Sequence, residues 1–162
     1  MPTTGNYYLR VHDSGLDEGG QYQLSLNVLV GQQPNQLASA WENLGQSVGI
    51  AGVCGVPTLY GTGDMALGSL VSMNLRDAEP NNLFLLVAGC ARASFPVFTG
   101  ILVPTSEIVF GAITDGDGKF TLLESSWPAF PPGYPLFVQA WGLDATSPDG
   151  VTASNAMLGI MP

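Results

Sequence analysis

The residue types that most often perform chemistry are few in this sequence. His12 is its single histidine, and no GxSxG or comparable setting for a nucleophile accompanies it. A serine-type triad needs such a nucleophile, and a zinc site built on several histidines needs more than one. Most acidic residues lie in turn-like segments, which does not suit the paired carboxylates of a glycosidase. We therefore predict no catalytic residue and no enzymatic activity.

The segment from Asp115 to Gly118, with Asp117 between them, is a candidate calcium site because calcium takes several oxygen ligands from one loop. However, Lys119 stands where an EF-hand loop supplies a further ligand, and Glu124 falls short of the position of the bidentate glutamate. We predict a hairpin turn here, with at most weak Ca²⁺ binding at Asp115 and Asp117. No cofactor is expected.

Two cysteines, Cys54 and Cys90, are present without a second Cys or His cluster that would indicate a metal. We predict that they form a disulfide, which would place the protein outside the cytosol. The alternative is two buried free thiols.

Three aromatic residues, Trp127, Tyr134 and Trp141, lie close together in the sequence. A flat aromatic surface can stack on a sugar ring, so Trp127 and Tyr134 are candidate glycan-facing residues. Trp141 belongs to the apolar run that begins at Leu136, which favours a role in the core. Trp127 precedes Pro128 and is expected to be the more exposed ring.

The composition excludes several partners. Of 162 residues, 46% are hydrophobic and only 10% are charged, and 13 acidic residues against four Lys and Arg give a net charge of −9. Such a charge repels a phosphate backbone, so no nucleic-acid partner is expected. No apolar run is long enough to span a membrane, so membrane insertion is not expected either. The first residues lack the pattern of a signal peptide, and we expect any export signal to lie upstream.

Most of the chain is predicted to form strands. Alternating apolar and polar residues predict a β-hairpin over Tyr7–Val30, and we assign residues 1–30 to this first segment. Residues 31–52 are predicted to be a linker with a short helix, because Leu37, Trp41 and Leu44 have helical spacing, with Asn35 as N-cap and Gly45 beyond the end. An irregular connector is the alternative.

Residues 53–162 are predicted to form an antiparallel β-sandwich of the Ig-like, Greek-key class. Short strands alternate with turn residues, and no long amphipathic helix separates them. The predicted strands lie near Pro57–Tyr60, Leu70–Leu75, Leu83–Ala88, Val97–Leu102, Ile108–Thr114, Lys119–Leu123, Pro135–Gly142 and Val151–Ile160. The prolines from Pro128 to Pro135 predict an extended crossover.

The residues of the first hairpin, Gly5-Asn-Tyr-Tyr-Leu-Arg-Val-His-Asp-Ser-Gly15 and Gly20-Gln-Tyr-Gln-Leu-Ser-Leu26, resemble the last two strands of bacterial pre-peptidase C-terminal domains. Those domains are non-catalytic β-sandwiches of secreted proteins.

Four later segments resemble an uncharacterised C-terminal β-sandwich module of large secreted bacterial proteins. They are Cys54-Gly-Val-Pro-Thr-Leu-Tyr-Gly-Thr-Gly63, Leu102-Val-Pro104, Thr114-Asp-Gly-Asp-Gly-Lys-Phe120 and Ala153-Ser-Asn-Ala156. Thr114–Phe120 and Phe130–Tyr134 are also similar to carboxypeptidase regulatory-like sandwiches. These resemblances imply an extracellular or cell-surface module without catalytic residues.

The near absence of charge in the strands suggests how such a module works. Soluble sandwiches guard their edge strands with Lys or other charges, and this chain has a single lysine. We predict a structural module that assembles with copies of itself, or with a neighbouring β-domain, by strand addition. The hairpin residues expected to mediate assembly are Tyr8, Val11, Tyr22, Leu24 and Leu26. The alternative is a carbohydrate- or surface-binding accessory module.

Overall fold

The computed structural model describes residues 40–162, and this part of the chain is all-β. It contains strands β1 to β10 and one turn of 3₁₀ helix, Gln46–Val48. Within this range, no helix is long and apolar enough to cross a membrane. The strands are β1 Trp41–Asn43, β2 Thr58–Thr62, β3 Val71–Arg76, β4 Leu83–Gly89, β5 Arg92–Val97, β6 Gly100–Pro104, β7 Ile108–Ile113, β8 Phe120–Glu124, β9 Pro135–Leu143 and β10 Val151–Ile160.

These strands form three antiparallel sheets. A five-stranded sheet has the order β1-β10-β9-β4-β7, a three-stranded sheet has the order β2-β3-β8, and β5 and β6 form a separate hairpin. The five-stranded and three-stranded sheets share one buried core, so the arrangement is sandwich-like and the predicted all-β class is confirmed.

The main core follows from the alternation of side chains along each strand. On β4, Phe84, Leu86 and Ala88 point to one face and are buried, because they pack against the three-stranded sheet. The ring of Phe84 meets that of Phe120 on β8 edge to face, with 4.9 Å between centroids. Burial of a side chain as large as Phe84 or Leu86 contributes about 1.5–3 kcal/mol through removal of apolar surface from water.

A second, smaller core lies on the other face of the five-stranded sheet, under the β5–β6 hairpin. Its buried members are Val48, Val103 and Ala156. The buried amide of Gln139, on β9, fastens the hairpin to this face: its Oε1 accepts from the Val103 N–H at 3.0 Å, and its Nε2 donates to the Ile101 carbonyl at 3.1 Å. The Gln139 side chain thus hydrogen-bonds backbone N–H and C=O groups of β6, as a neighbouring strand would.

Asn155 makes the matching connection toward the three-stranded sheet. It sits in a β-bulge, where the register between β10 and β9 shifts between Ala153 and Ala156. Its Oδ1 accepts from the Leu59 N–H at 2.8 Å, and its Nδ2 donates to the Leu59 carbonyl at 2.9 Å. Ser154, also in the bulge, accepts from the Ala140 N–H. The bulge therefore aims two polar side chains at backbone groups that lack strand partners.

The helix predicted for the linker is not found in the described residues. Trp41, expected on its apolar face, begins β1 and pairs with Gly159 of β10. The side chain of Trp41 is buried over Gly61, where any added side chain would overlap the indole ring. Burial of Trp41 in the main core therefore favours a strand over a helix at this position.

Two further strand predictions need correction. The strand predicted over Val97–Leu102 is a hairpin that turns at Phe98 and Thr99, between β5 and β6. The turn after Asp115 does not join two paired strands: β7 pairs with β4, and β8 pairs with β3. Tertiary pairing separates β7 and β8, so this turn links the two sheets of the sandwich-like fold.

The hairpin predicted over Tyr7–Val30, with its residues Tyr8, Val11, Tyr22, Leu24 and Leu26, lies outside the described residues. The predicted division into 1–30, 31–52 and 53–162 stays a prediction. Within the described part, β1 and the 3₁₀ turn, which precede residue 53, pack with the later strands.

Removal of the Asn155 side-chain amide, which connects the two sheets, should lower the stability of the fold. We expect Asn155→Ala to lower the free energy of unfolding by about 3 kcal/mol, because it leaves the buried N–H and C=O of Leu59 without partners. Urea denaturation followed by tryptophan fluorescence measures this. Gln46→Ala, which removes an exposed amide, is the control and should change stability by less than about 0.5 kcal/mol. Equal effects of the two substitutions would contradict the role assigned to Asn155.

Candidate functional site: an uncovered sheet edge

The strand β7 forms one end of the five-stranded sheet, and within the described part of the chain it pairs only with β4. Its six residues, Ile-Val-Phe-Gly-Ala-Ile, include no charge and no proline, and all but Ala112 are exposed. The outward N–H and C=O groups of an edge strand can pair with another chain. An apolar edge of this length is therefore a surface suited to strand addition.

Behind β7, a cleft of about 300 Å³ opens between the two sheets. Ile108 and Phe110 contribute the side chains of β7 that face it, and Leu122 contributes from β8. Both β7 and β8 are edge strands of their sheets, so no strand of residues 40–162 closes this side. The remaining lining is mainly apolar: Val71, Met73, Leu86, Ala88, Glu124, Trp127, Pro128, Phe130 and Leu136.

The opposite face of β7 continues a second apolar surface. Val109 and Ile113 lie directly opposite Val87 and Leu83 on β4. Those β4 residues line a cavity of about 360 Å³ below the β5–β6 hairpin, together with Trp141. Both faces of the edge strand are thus apolar, and a strand added there would find apolar neighbours on each side.

The two aromatic residues predicted to face a glycan do not form an exposed platform. Trp127 is only 7% exposed, and its Nε1 donates to the Met161 sulfur at 3.3 Å. The prediction that it is the exposed ring is wrong, because Trp127 closes one end of the main core. Tyr134 is half-buried and stacks on Phe130, with 5.6 Å between ring centroids. The ring that sequence reasoning missed is Phe130, which is exposed.

Trp141 does not belong to the main core, where its apolar run had suggested it would lie. The indole is half-buried and lines the cavity below the β5–β6 hairpin. Its position on β9 alternates with buried Ala140, which faces the other sheet. The alternation of side chains along β9 therefore places Trp141 on the face opposite the main core.

The predicted disulfide is absent, since Cys54 and Cys90 are both free thiols. Cys54 adjoins Val53, whose N–H bonds to Asp144 at the end of β9, whereas Cys90 adjoins Gly89, which pairs with Phe137 near the start of β9. That length of strand separates them by on the order of 20 Å. A disulfide requires Cα atoms about 4–7 Å apart, so the fold keeps these cysteines apart.

Cys90 lies in a small polar cluster. Its Sγ is 3.6 Å from Glu107 Oε1. The hydrogen bond with Cys90, with a contribution from the negative charge of Glu107, raises the pKa of Tyr134, and the Thr105 hydroxyl holds the pKa of Glu107 below its usual value. The Cys90 thiol therefore donates a hydrogen bond to a carboxylate in this cluster.

The carboxylate of Asp115 is used to shape its own turn. Its Oδ1 accepts from the N–H groups of Asp117 and Lys119 at 2.9 and 2.8 Å, and Asp117 pairs with the Lys119 ammonium. Among residues 40–162, no group of three or more His, Cys, Asp or Glu side chains is placed to hold a metal ion. The turn therefore has a structural account that does not involve calcium.

Asp144 is the most buried acidic residue in the described range and lies at the end of β9. Burial alone raises the pKa of Asp144, but hydrogen bonds from the Thr146 hydroxyl and from the N–H groups of Val53 and Thr146 lower it by more. The pKa therefore lies below 3.8, the ordinary value for aspartate. The carboxylate ties the loop before β2 to the turn after β9.

The free cysteines predict that reduction leaves the fold unchanged. Adding dithiothreitol should not shift the melting temperature, whereas loss of a disulfide would remove about 3–4 kcal/mol. Thermal unfolding with and without the reductant tests this, and a thiol titration of the non-reduced, denatured protein should find two thiols per chain. A titration that finds none would show that the cysteines are bridged.

Asp144 should make stability depend on pH at the acidic end. Because its pKa is lower in the folded than in the unfolded chain, its stabilisation is complete above about pH 5 and is lost as the pH falls through the folded pKa. We expect Asp144→Asn to cost about 2 kcal/mol at pH 7 and less at pH 2.5. Urea midpoints across this range measure it.

Asp117→Asn, which removes an exposed carboxylate, is the control and should have little effect at any pH. A loss in Asp144→Asn that is the same at both pH values would show that charge is not involved.

Comparison of the chain with family models, curated proteins and solved structures finds no match. The functional proposal therefore rests on the geometry of residues 40–162 and on the sequence that precedes them.

Proposed function

We propose that this chain is a non-catalytic, extracellular structural module that assembles through β-strand addition into a larger surface structure or fibre. The observation that carries the proposal is β7, a six-residue apolar edge strand with an apolar surface on each face. Its partners are copies of the same chain or a neighbouring β-domain.

The energetics of the edge support this proposal. Val109 is 54% exposed, and Ile108, Phe110 and Ile113 are also among the exposed large hydrophobic residues. A contiguous exposed apolar patch of this kind is typical of interaction surfaces. The added strand would cover these side chains and would also pair the outward backbone groups of β7.

For the topology we propose the Ig-like, Greek-key class. Its support is the way in which the chain alternates between sheets: β3 pairs with β8 in one sheet, while β4 and β10 both pair with β9 in the other. Pairing of this kind between strands distant in sequence is a feature of Greek-key sandwiches.

The extracellular location is proposed from the resemblance to secreted modules and from the low charge of the strands. The free thiols Cys54 and Cys90 remove the disulfide from its support. The alternative function is glycan binding. Of the aromatic cluster that suggested it, Trp127 is buried in the core, whereas Tyr134 is half-buried and stacks on the exposed Phe130.

One charge on the edge should oppose assembly. We expect Val109→Lys to weaken self-association at least about tenfold, because a lysine on an edge strand resists pairing with another strand. Sedimentation velocity over a range of protein concentrations measures the association constant. Val53→Lys is the matched control: it introduces the same charge at an equally exposed position in a turn, outside β7, and should associate as the unchanged chain does.

If the two lysine variants associate equally, β7 is not the contact surface. A monomer at every concentration of the unchanged chain would overturn the assembly proposal and make glycan binding the leading candidate.

A further inference from the structure

We infer that the strand added to β7 is the segment Tyr22–Val28 of a second copy, and that its alternate side chains Tyr22, Leu24 and Leu26 enter the cleft between the sheets. This inference rests on the proposed function and names the occupant of the same surface. The juxtaposition that suggests it is an apolar cleft directly behind an uncovered edge strand.

The apolar lining of the cleft determines which side chains an added strand needs on the face that enters it. Along β7, Ile108 and Phe110 face the cleft, whereas Val109 faces the other side of the sheet, toward solvent. A strand paired with β7 continues these two rows, so every second side chain enters the cleft. The occupant therefore needs one apolar row to fill the cleft. Its other row lies beside Val109 on a face that is open to water, where polar side chains stay hydrated.

The segment Tyr22–Val28 meets this requirement. Its sequence Tyr-Gln-Leu-Ser-Leu-Asn-Val places Tyr22, Leu24, Leu26 and Val28 in one row and Gln23, Ser25 and Asn27 in the other, and it has no charge. The preceding strand of the predicted hairpin carries Arg10 and His12.

The proposed function, in which copies of the chain assemble through β7, makes a second copy the source of the segment. Residues 1–39 lead into β1, and β1 and β7 are the opposite ends of the five-stranded sheet, about 19 Å apart at the usual strand spacing. The eleven residues 29–39 could span about 36 Å when fully extended, so the experiment must also detect a chain that covers its own edge. A contact that joins two different surfaces of neighbouring copies gives a ring if the rotation between copies closes. If the rotation does not close, repetition of the contact gives an open filament.

The two rows can be tested by disulfide trapping in the full chain, with Cys54→Ser and Cys90→Ser in every sample. Residues opposite each other in a ladder share a face, whatever the register. Chains carrying Leu24→Cys or Ser25→Cys are mixed with differently tagged chains carrying Phe110→Cys or Val109→Cys and then oxidised. Non-reducing electrophoresis and intact mass measure the heterodimers.

We expect Leu24→Cys to cross-link with Phe110→Cys, and Ser25→Cys with Val109→Cys, each at least about tenfold more than the two mismatched pairs. Equal yields from all four pairs would show unspecific proximity and overturn the inference. Leu9→Cys, a donor from the preceding predicted strand, serves as a further control. If Leu9→Cys cross-links with Phe110→Cys as much as Leu24→Cys does, the assignment of Tyr22–Val28 as the added strand is wrong.

A single chain carrying both Leu24→Cys and Phe110→Cys separates the two possible sources. Cross-linking between copies that rises with protein concentration supports a second copy, whereas an internal bridge at high dilution would mean that the chain covers its own edge. If the unchanged chain assembles but none of the pairs cross-links, another segment occupies β7 and the proposed function stands without this inference. If it does not assemble, the proposed function fails first.

Discussion

Every buried backbone N–H and C=O group needs a hydrogen-bond partner, and in a layered β-fold the groups that face another layer have no strand beside them. Two amide side chains meet this need here. Asn155 pairs with both backbone groups of Leu59 in the three-stranded sheet, and Gln139 pairs with Val103 and Ile101 in the β5–β6 hairpin. Both amides are fully buried, so each must be satisfied for the layers to hold their positions. The bulge in β10 exists where one of them has to turn toward the neighbouring sheet.

Asn155 lies on β10, next to β1 at one end of the five-stranded sheet, and bonds the three-stranded sheet there, whereas Gln139 lies on the central strand β9 and bonds the β5–β6 hairpin on the other face. Trp41 completes that side by packing over Gly61. At the β7 end no comparable polar side chain of residues 40–162 spans the two sheets, and these residues leave a cleft beside Phe110 and Leu122. One side of the fold is therefore closed by specific hydrogen bonds and a buried indole, while the other presents apolar side chains and an uncovered strand.

The low charge of the chain is related to the lack of charged residues on the exposed edge strand. With four basic residues in 162, the described part of the fold relies on neutral hydrogen bonds and on carboxylates bonded to backbone N–H groups, as at Asp144 and Asp115. Only two ion pairs are found in this part, both exposed at the surface. Few charges are left to guard an edge, which suits a module whose edge is to be covered by another strand and would be a liability for one that must remain alone.

The alternation of apolar and polar residues and the spacing of turn residues were enough to predict the all-β class and most of the strands, because both depend on local backbone preferences. Local patterns could not show that Trp41 lies in a strand, since its spacing from Leu44 suits a helix until burial over Gly61 is known. Nor could they show that the turn at Asp115 links two sheets, that Trp127 is buried, or that Cys54 and Cys90 lie far apart. The low charge of β7 was visible in the sequence, but its place at the end of a sheet was not. Sequence alone thus determined which segments become strands, whereas pairing between distant segments decided which strand stays uncovered, because edges are set by long-range hydrogen bonds that no local pattern encodes.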